Sequence, residues 1–160
     1  MIPPQSIHNA DQLFAAAFNM LFTHQYAEAY SIFSILDKEI ENVAVSFNLA
    51  LCCVEADEMN QAMMYIEKAM MQSRKIMPSA ITTNSVYDKL MNLQCNTDDY
   101  CMPMDKTYVL QFPINTEQRV LRLAVDIYCK MELWNKVHQT ASIIKSKNYK
   151  NVITALEKAK

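Results

Sequence analysis

The chain of 160 residues contains no glycine. That absence argues against glycine-cradled phosphate sites, the dinucleotide-binding fingerprint and tight primed hairpins, which all need positive φ or close backbone approach. Long apolar runs are missing too. No stretch approaches the roughly 18 residues of a membrane span, and MIPPQSIHNADQ has no basic segment followed by an apolar one. The expectation is a chain that neither inserts in a membrane nor carries a standard secretion signal. Excess positive charge is lacking: 15 Lys and Arg stand against 17 Asp and Glu, so no nucleic-acid partner is expected. The five cysteines are odd in number and are not spaced as a disulfide scaffold, which points to a reducing cytoplasm.

Metal and catalytic constellations are also missing. Cys95 and Cys101 are too far apart for a zinc knuckle, and His8, His24 and His138 are scattered. Cys52 and Cys53 are adjacent and read as small core residues; Cys129 reads as core or groove. Asp98-Asp99 and Glu39/Glu41 read as solvated carboxylates. No nucleophile–base order stands out. The chain is expected to be no enzyme and to need no cofactor or metal.

What is present is helical periodicity. Helices are expected over 12–24, with Asn9 or Asp11 as cap, and over 26–39, 43–56, 60–75 and 85–94. Pro78 ends the fourth. Thr116 is the expected cap of a helix running to about Met131, followed by one over 134–146. Asn148 or Asn151 is expected to cap a final helix, VITALEKA. Between them, residues 96–115 break the rhythm, with Pro103, Pro113 and an acidic pair. Tyr108–Phe112 is the one strand candidate. Methionine is abundant at twelve and suits irregular helix packing or a tolerant binding surface.

The pattern also repeats. Ala29, Phe33 and Leu36 recur 33 residues later as Ala62, Ile66 and Ala69, and Ala16-Ala17 and Met20 recur as Leu49-Ala50 and Cys53. Two helices per unit at a period near 34 mark a helical-hairpin solenoid, whose units bury their apolar faces by stacking. Phe47-Asn48-Leu49-Ala50, Met59 and the small–large–small triplet Ala62, Ile66, Ala69 resemble the tetratricopeptide repeat. Ala17, Tyr26, Ala29 and Phe33 fit the same pattern. Trp134 marks a degenerate later copy, in which Val137 and Ile144 take the small positions. About two thirds of the chain is covered.

The resemblance implies an all-α, right-handed solenoid of about three to four repeats in a single domain. Its units are 10–43, 44–76, a degenerate unit at 77–116 whose second helix is replaced by the non-helical insertion 96–115, then 117–150, and a capping helix at 151–160. It implies that Ala50, Ala62 and Ala69 lie where helices approach closely. It also implies a concave groove that binds a peptide or partner protein. The groove positions carried over are Phe14, Phe18, Leu21 and Phe22, then Phe47, Leu51, Val54 and Glu55, then Arg119, Arg122, Asp126 and Lys130. Apolar residues early and basic ones late suit a ligand with an apolar anchor and acidic residues. Phe14, Phe18 and Phe22 form an apolar stripe that either binds a partner or is covered by the folded-back segment MIPPQSI. The non-helical insertion is expected to pack as a lid or to carry function. An alternative is a dedicated cytosolic chaperone: Gln12-Leu13-Phe14, Ala17-Phe18-Asn19 and Tyr26-Ala27-Glu28-Ala29 are similar to the opening of the bacterial class II type III secretion chaperones.

Overall fold

The computed structural model describes residues 4–76 and 84–160, with side chains from residue 9 onward. Pro78 lies outside them. Within them the chain is all-α, with no strand. In order come α1 (Pro4–Phe22), α2 (Tyr26–Glu39), α3 (Val43–Glu55), α4 (Met59–Ser73), α5 (Ser85–Gln94), a 3-10 turn at Asp99–Cys101, α6 (Lys106–Gln111), α7 (Pro113–Lys130), α8 (Trp134–Ile143) and α9 (Lys150–Lys158).

Three hairpins, α1/α2, α3/α4 and α7/α8, close through the same turn. His24, Asp57 and Glu132 each sit in the left-handed region, at φ 59°, 59° and 58°. The next residue donates its N–H back to the helix: Gln25 to Met20 O, Glu58 to Cys53 O and Leu133 to Tyr128 O, each at 2.9 Å. This is the 6→1 bond of a Schellman cap, a position where glycine is usual because a Cβ is penalised there. The chain makes these turns without glycine. Replacing Glu132, which makes no side-chain bond within the turn, by glycine is expected to raise stability by up to about 1 kcal/mol, the left-handed penalty exceeding the added chain entropy. A urea melt with an unshifted or lower midpoint would contradict this.

The hairpins pack in succession. Ala17, Ala29, Ala50, Ala62 and Ala69 are fully buried, with Phe33, Phe47 and Ile66 around them. The second helices are linked by ion pairs. Lys68 pairs with Asp37 at 2.7 Å between α4 and α2, and Lys136 with Glu67 at 2.6 Å between α8 and α4. The α7/α8 hairpin therefore meets α3/α4 directly, with α4 against α7. Such partly exposed pairs fix register more than they stabilise.

Helix α3 is buried along Val43–Cys53. That explains VAVSFNLALCCV, a helix apolar on every side and enclosed by neighbours. Asn42 caps it by accepting from Ala44 N at 2.8 Å. Asn84 caps α5 by accepting from Val86 N and Tyr87 N.

Several boundaries differ from the sequence reading. Helix α1 begins at Pro4, so Asn9 and Asp11 lie inside it. From Pro4 onward the N-terminal residues prolong α1 and do not fold back over the Phe stripe; proline tolerates a first helical turn because its missing N–H would have no partner there. Helix α7 begins at Pro113 for the same reason, and Thr116 is fully buried in its first turn. Tyr108–Phe112 is not a strand. Asp105 caps Lys106–Gln111 as a helix by accepting from Thr107 N at 3.0 Å; local capping outweighs the β propensity of Tyr-Val. The segment 96–115, expected to be non-helical, is thus partly helical. Helix α9 follows Tyr149, and Asn151 is used elsewhere.

Candidate functional site

The face formed by α1, α3 and α7 is filled by the chain's own residues 98–112. Met102 precedes proline and is extended (φ −70°, ψ 151°), as is Asp105 (φ −87°, ψ 152°); the proline ring keeps its predecessor out of the helical region. This delivers Met104, fully buried, onto α3. The carboxamide of Asn48, itself fully buried, then meets both backbone groups of Met104. Asn48 Nδ2 donates to Met104 O at 2.9 Å, and Asn48 Oδ1 accepts from Met104 N at 2.8 Å. A side-chain amide paired in this way recognises extended backbone without regard to side chain.

Other contacts fix the ends of the segment. Lys106 Nζ lies 2.6 Å from Asp11 Oδ1 and 4.9 Å from the Phe14 ring centroid. Arg119 lies over the Phe47 and Tyr108 rings at 5.4 and 5.0 Å and donates to the carbonyl of Met102. Arg122 is sandwiched between Tyr100 and Tyr149, with centroids at 3.9 and 4.2 Å. It donates to Thr97 O at 3.1 Å and to Asn151 Oδ1 at 3.0 Å. Asn151 Nδ2 in turn donates to Asp126 Oδ1 at 2.9 Å, and Tyr100 donates its hydroxyl to the same carboxylate. Burial pushes the Asp126 carboxyl above its usual range, against the opposing effect of these bonds and of Arg122.

The sequence-derived groove residues therefore divide. Phe14, Leu21, Phe47 and Leu51 are buried. Phe14 stacks on Phe18 at 6.1 Å and meets Phe33 edge-on at 5.5 Å, so the Phe stripe continues into the core of the first hairpin. Phe18 and Val54 are half-buried, and Phe22 is 48% exposed. Glu55 is exposed beside Phe22. Arg119 and Arg122 are not open basic contacts for an acidic ligand. Arg122 is 4% exposed, and both guanidiniums are held by aromatic rings and carbonyls of the chain. Burial pulls both below their ordinary range, against the neighbouring tyrosines. Lys130 is exposed and pairs with Asp57 at 2.8 Å. Cys52 and Cys53 are buried, and burial pushes their thiols up to about 12 and about 11, so neither is a ready nucleophile.

Parts of the face remain open, among them a cleft of about 270 Å³ bordered by Tyr100, Met102, Tyr108, Arg119 and Arg122. A cleft of about 230 Å³ lies where the resident segment meets the first two hairpins, lined by Leu21, Phe22, His24, Tyr26, Leu51, Glu55, Cys101, Met102 and Pro103. Phe22 and Met102 are its exposed apolar members.

Asn48, Met104, Tyr100, Asn151 and Tyr149 were not among the expected site residues. Only Asn48 carried a readable signal: an amide in the middle of a helix apolar on all sides requires a partner. Among the described residues, no group of three His, Cys, Asp or Glu is arranged to hold a metal ion, and no helix is long and apolar enough to cross a membrane. Comparison with protein-family models, curated proteins and solved structures gave no match.

Proposed function

We propose that this chain is a right-handed helical-hairpin solenoid of the tetratricopeptide kind, acting as a non-catalytic module that holds a polypeptide on its concave face. The observation that carries this reading is the two-point bond between the Asn48 carboxamide and the backbone of Met104. A face that grips its own extended chain by the backbone has the chemistry to grip another. The three equivalent turns and the buried alanines between hairpins support the repeat architecture.

The partner is recognised first at the open cleft. Phe22 supplies its accessible aromatic wall, and desolvated aromatics at the centre of an interface carry most of the binding energy. The test is affinity capture from native lysate with three baits: the parent protein, Phe22→Asp, and Met64→Asp, which changes a 54% exposed residue of α4. Expected is a protein recovered by the parent and by Met64→Asp but reduced at least tenfold with Phe22→Asp. Equal recovery by all three baits, or no specific protein with any, would overturn the reading.

A further inference from the structure

The resident segment has the arrangement of a ligand more than of a core element. Its principal grip on α3 is the backbone of Met104. Tyr100, Met104 and Val109 are its buried apolar anchors, while Met102 is 47% and Leu110 71% exposed. Helix α5, which leads into it, has no buried residue. The hairpins α3/α4 and α7/α8 meet through α4 and α7 without it. Displacing residues 98–112 would therefore leave the hairpin-to-hairpin contacts in place. The open cleft at Phe22 and Leu51 adjoins Met102 and Pro103, so an incoming chain has a place to land beside the segment it would displace.

Resting on the interaction-module reading above, we infer that residues 98–112 are a built-in competitor for the groove, and that the partner presents a segment of the same chemistry. That segment is extended at its centre, as Met102 and Asp105 are here, has a methionine-sized apolar residue where Met104 sits, and has a basic residue two positions later. The last requirement comes from Lys106, which pairs with Asp11 and lies against the Phe14 ring. It departs from the acidic ligand expected from the sequence: Arg119 and Arg122 lie over Tyr108 and Tyr100 of the resident segment, so a segment of the same chemistry meets them with aromatic rings. The tether gives the resident segment a high effective concentration, and the partner's apparent affinity is reduced by the fraction of molecules in which the groove is open.

The probe is a labelled synthetic peptide with the sequence of residues 99–112, Cys101 replaced by serine, followed by fluorescence anisotropy. The hosts are the parent protein and the double variant Met104→Ser/Lys106→Glu, which weakens the resident segment. Expected is peptide binding to the double variant at least tenfold tighter than to the parent, lost again by tenfold or more when Asn48→Ala is added. Equal affinity for the parent and the folded double variant, no binding to that variant, or binding indifferent to Asn48→Ala would each overturn the inference. Native-state hydrogen exchange on the parent decides the matter if the double variant does not fold. The Met104 amide should exchange at least tenfold faster than that of Leu49, in the core of α3, because the segment opens without global unfolding. Equal rates would make the segment a permanent part of the core. That result, together with a partner captured through Phe22, would reject the competitor and retain the interaction module.

Discussion

Arg122→Ala is expected to destabilise the protein by about 3 kcal/mol or more, the magnitude associated with breaking a buried charged network. The substitution removes the guanidinium from between Tyr100 and Tyr149 and the donor from Thr97 O. It leaves Asn151 Oδ1 without its donor and the Asp126 carboxylate without its neighbouring positive charge. Arg122→Lys should recover little, since an ammonium has no plane to stack between two rings and no fork to reach both acceptors. Urea melts of the two variants measure this. An Arg122→Ala midpoint within the range of ordinary surface substitutions, about 0.5 kcal/mol, would mean that the guanidinium is solvated in solution. On an open groove, where the sequence alone places Arg122, a change of its charge would leave the melting temperature almost unchanged. The two readings differ enough for one melt to separate them.

Ala62→Leu is the second large effect. Leucine is an excellent helix former, so on an exposed surface the change would be almost neutral. Ala62 is fully buried, on a helix that packs closely against α3. Three extra carbon atoms must force either the α3/α4 hairpin apart or neighbouring side chains off their rotamers. Overpacking of that kind costs about 1–3 kcal/mol. Ala62→Ser, which keeps the volume close to that of alanine, should be milder. A leucine variant that melts with the parent would place Ala62 outside the hairpin contact. The same logic applies to Ala69 and Ala29, each fully buried.

The sequence by itself determined the helical class, which rests on short-range periodicity that local packing must obey wherever the chain goes. The hairpins and the alanines buried between them came from the 33-residue repeat and the family resemblance it carries. Helix α2 falls on the expected residues, and the turns at His24 and Asp57 repeat the spacing of Ala29 and Ala62. The lack of glycine was legible, but its consequence was not: left-handed turns were still made, by His, Asp and Glu, because the Schellman bonds and hairpin packing hold them there. Cap positions were read poorly where a proline further upstream could start the helix, as at Pro4 and Pro113.

The candidate site was decided by tertiary structure. The groove positions are largely on the expected helices, yet what faces them depends on residues 56 positions away, as in the Asn48–Met104 pair. Periodicity carries no information about such a long-range contact. Pro103 signalled a break in rhythm, but only the fold shows that the extended run it creates turns inward to α3. Likewise a basic residue on a predicted groove can steer a partner or be consumed internally. Arg122 is consumed, because Tyr100 from the insertion and Tyr149 before α9 close on it from two separate parts of the chain. Local sequence determines which surfaces a helix must bury, whereas the identity of the group that covers them is set by the return path of the whole chain.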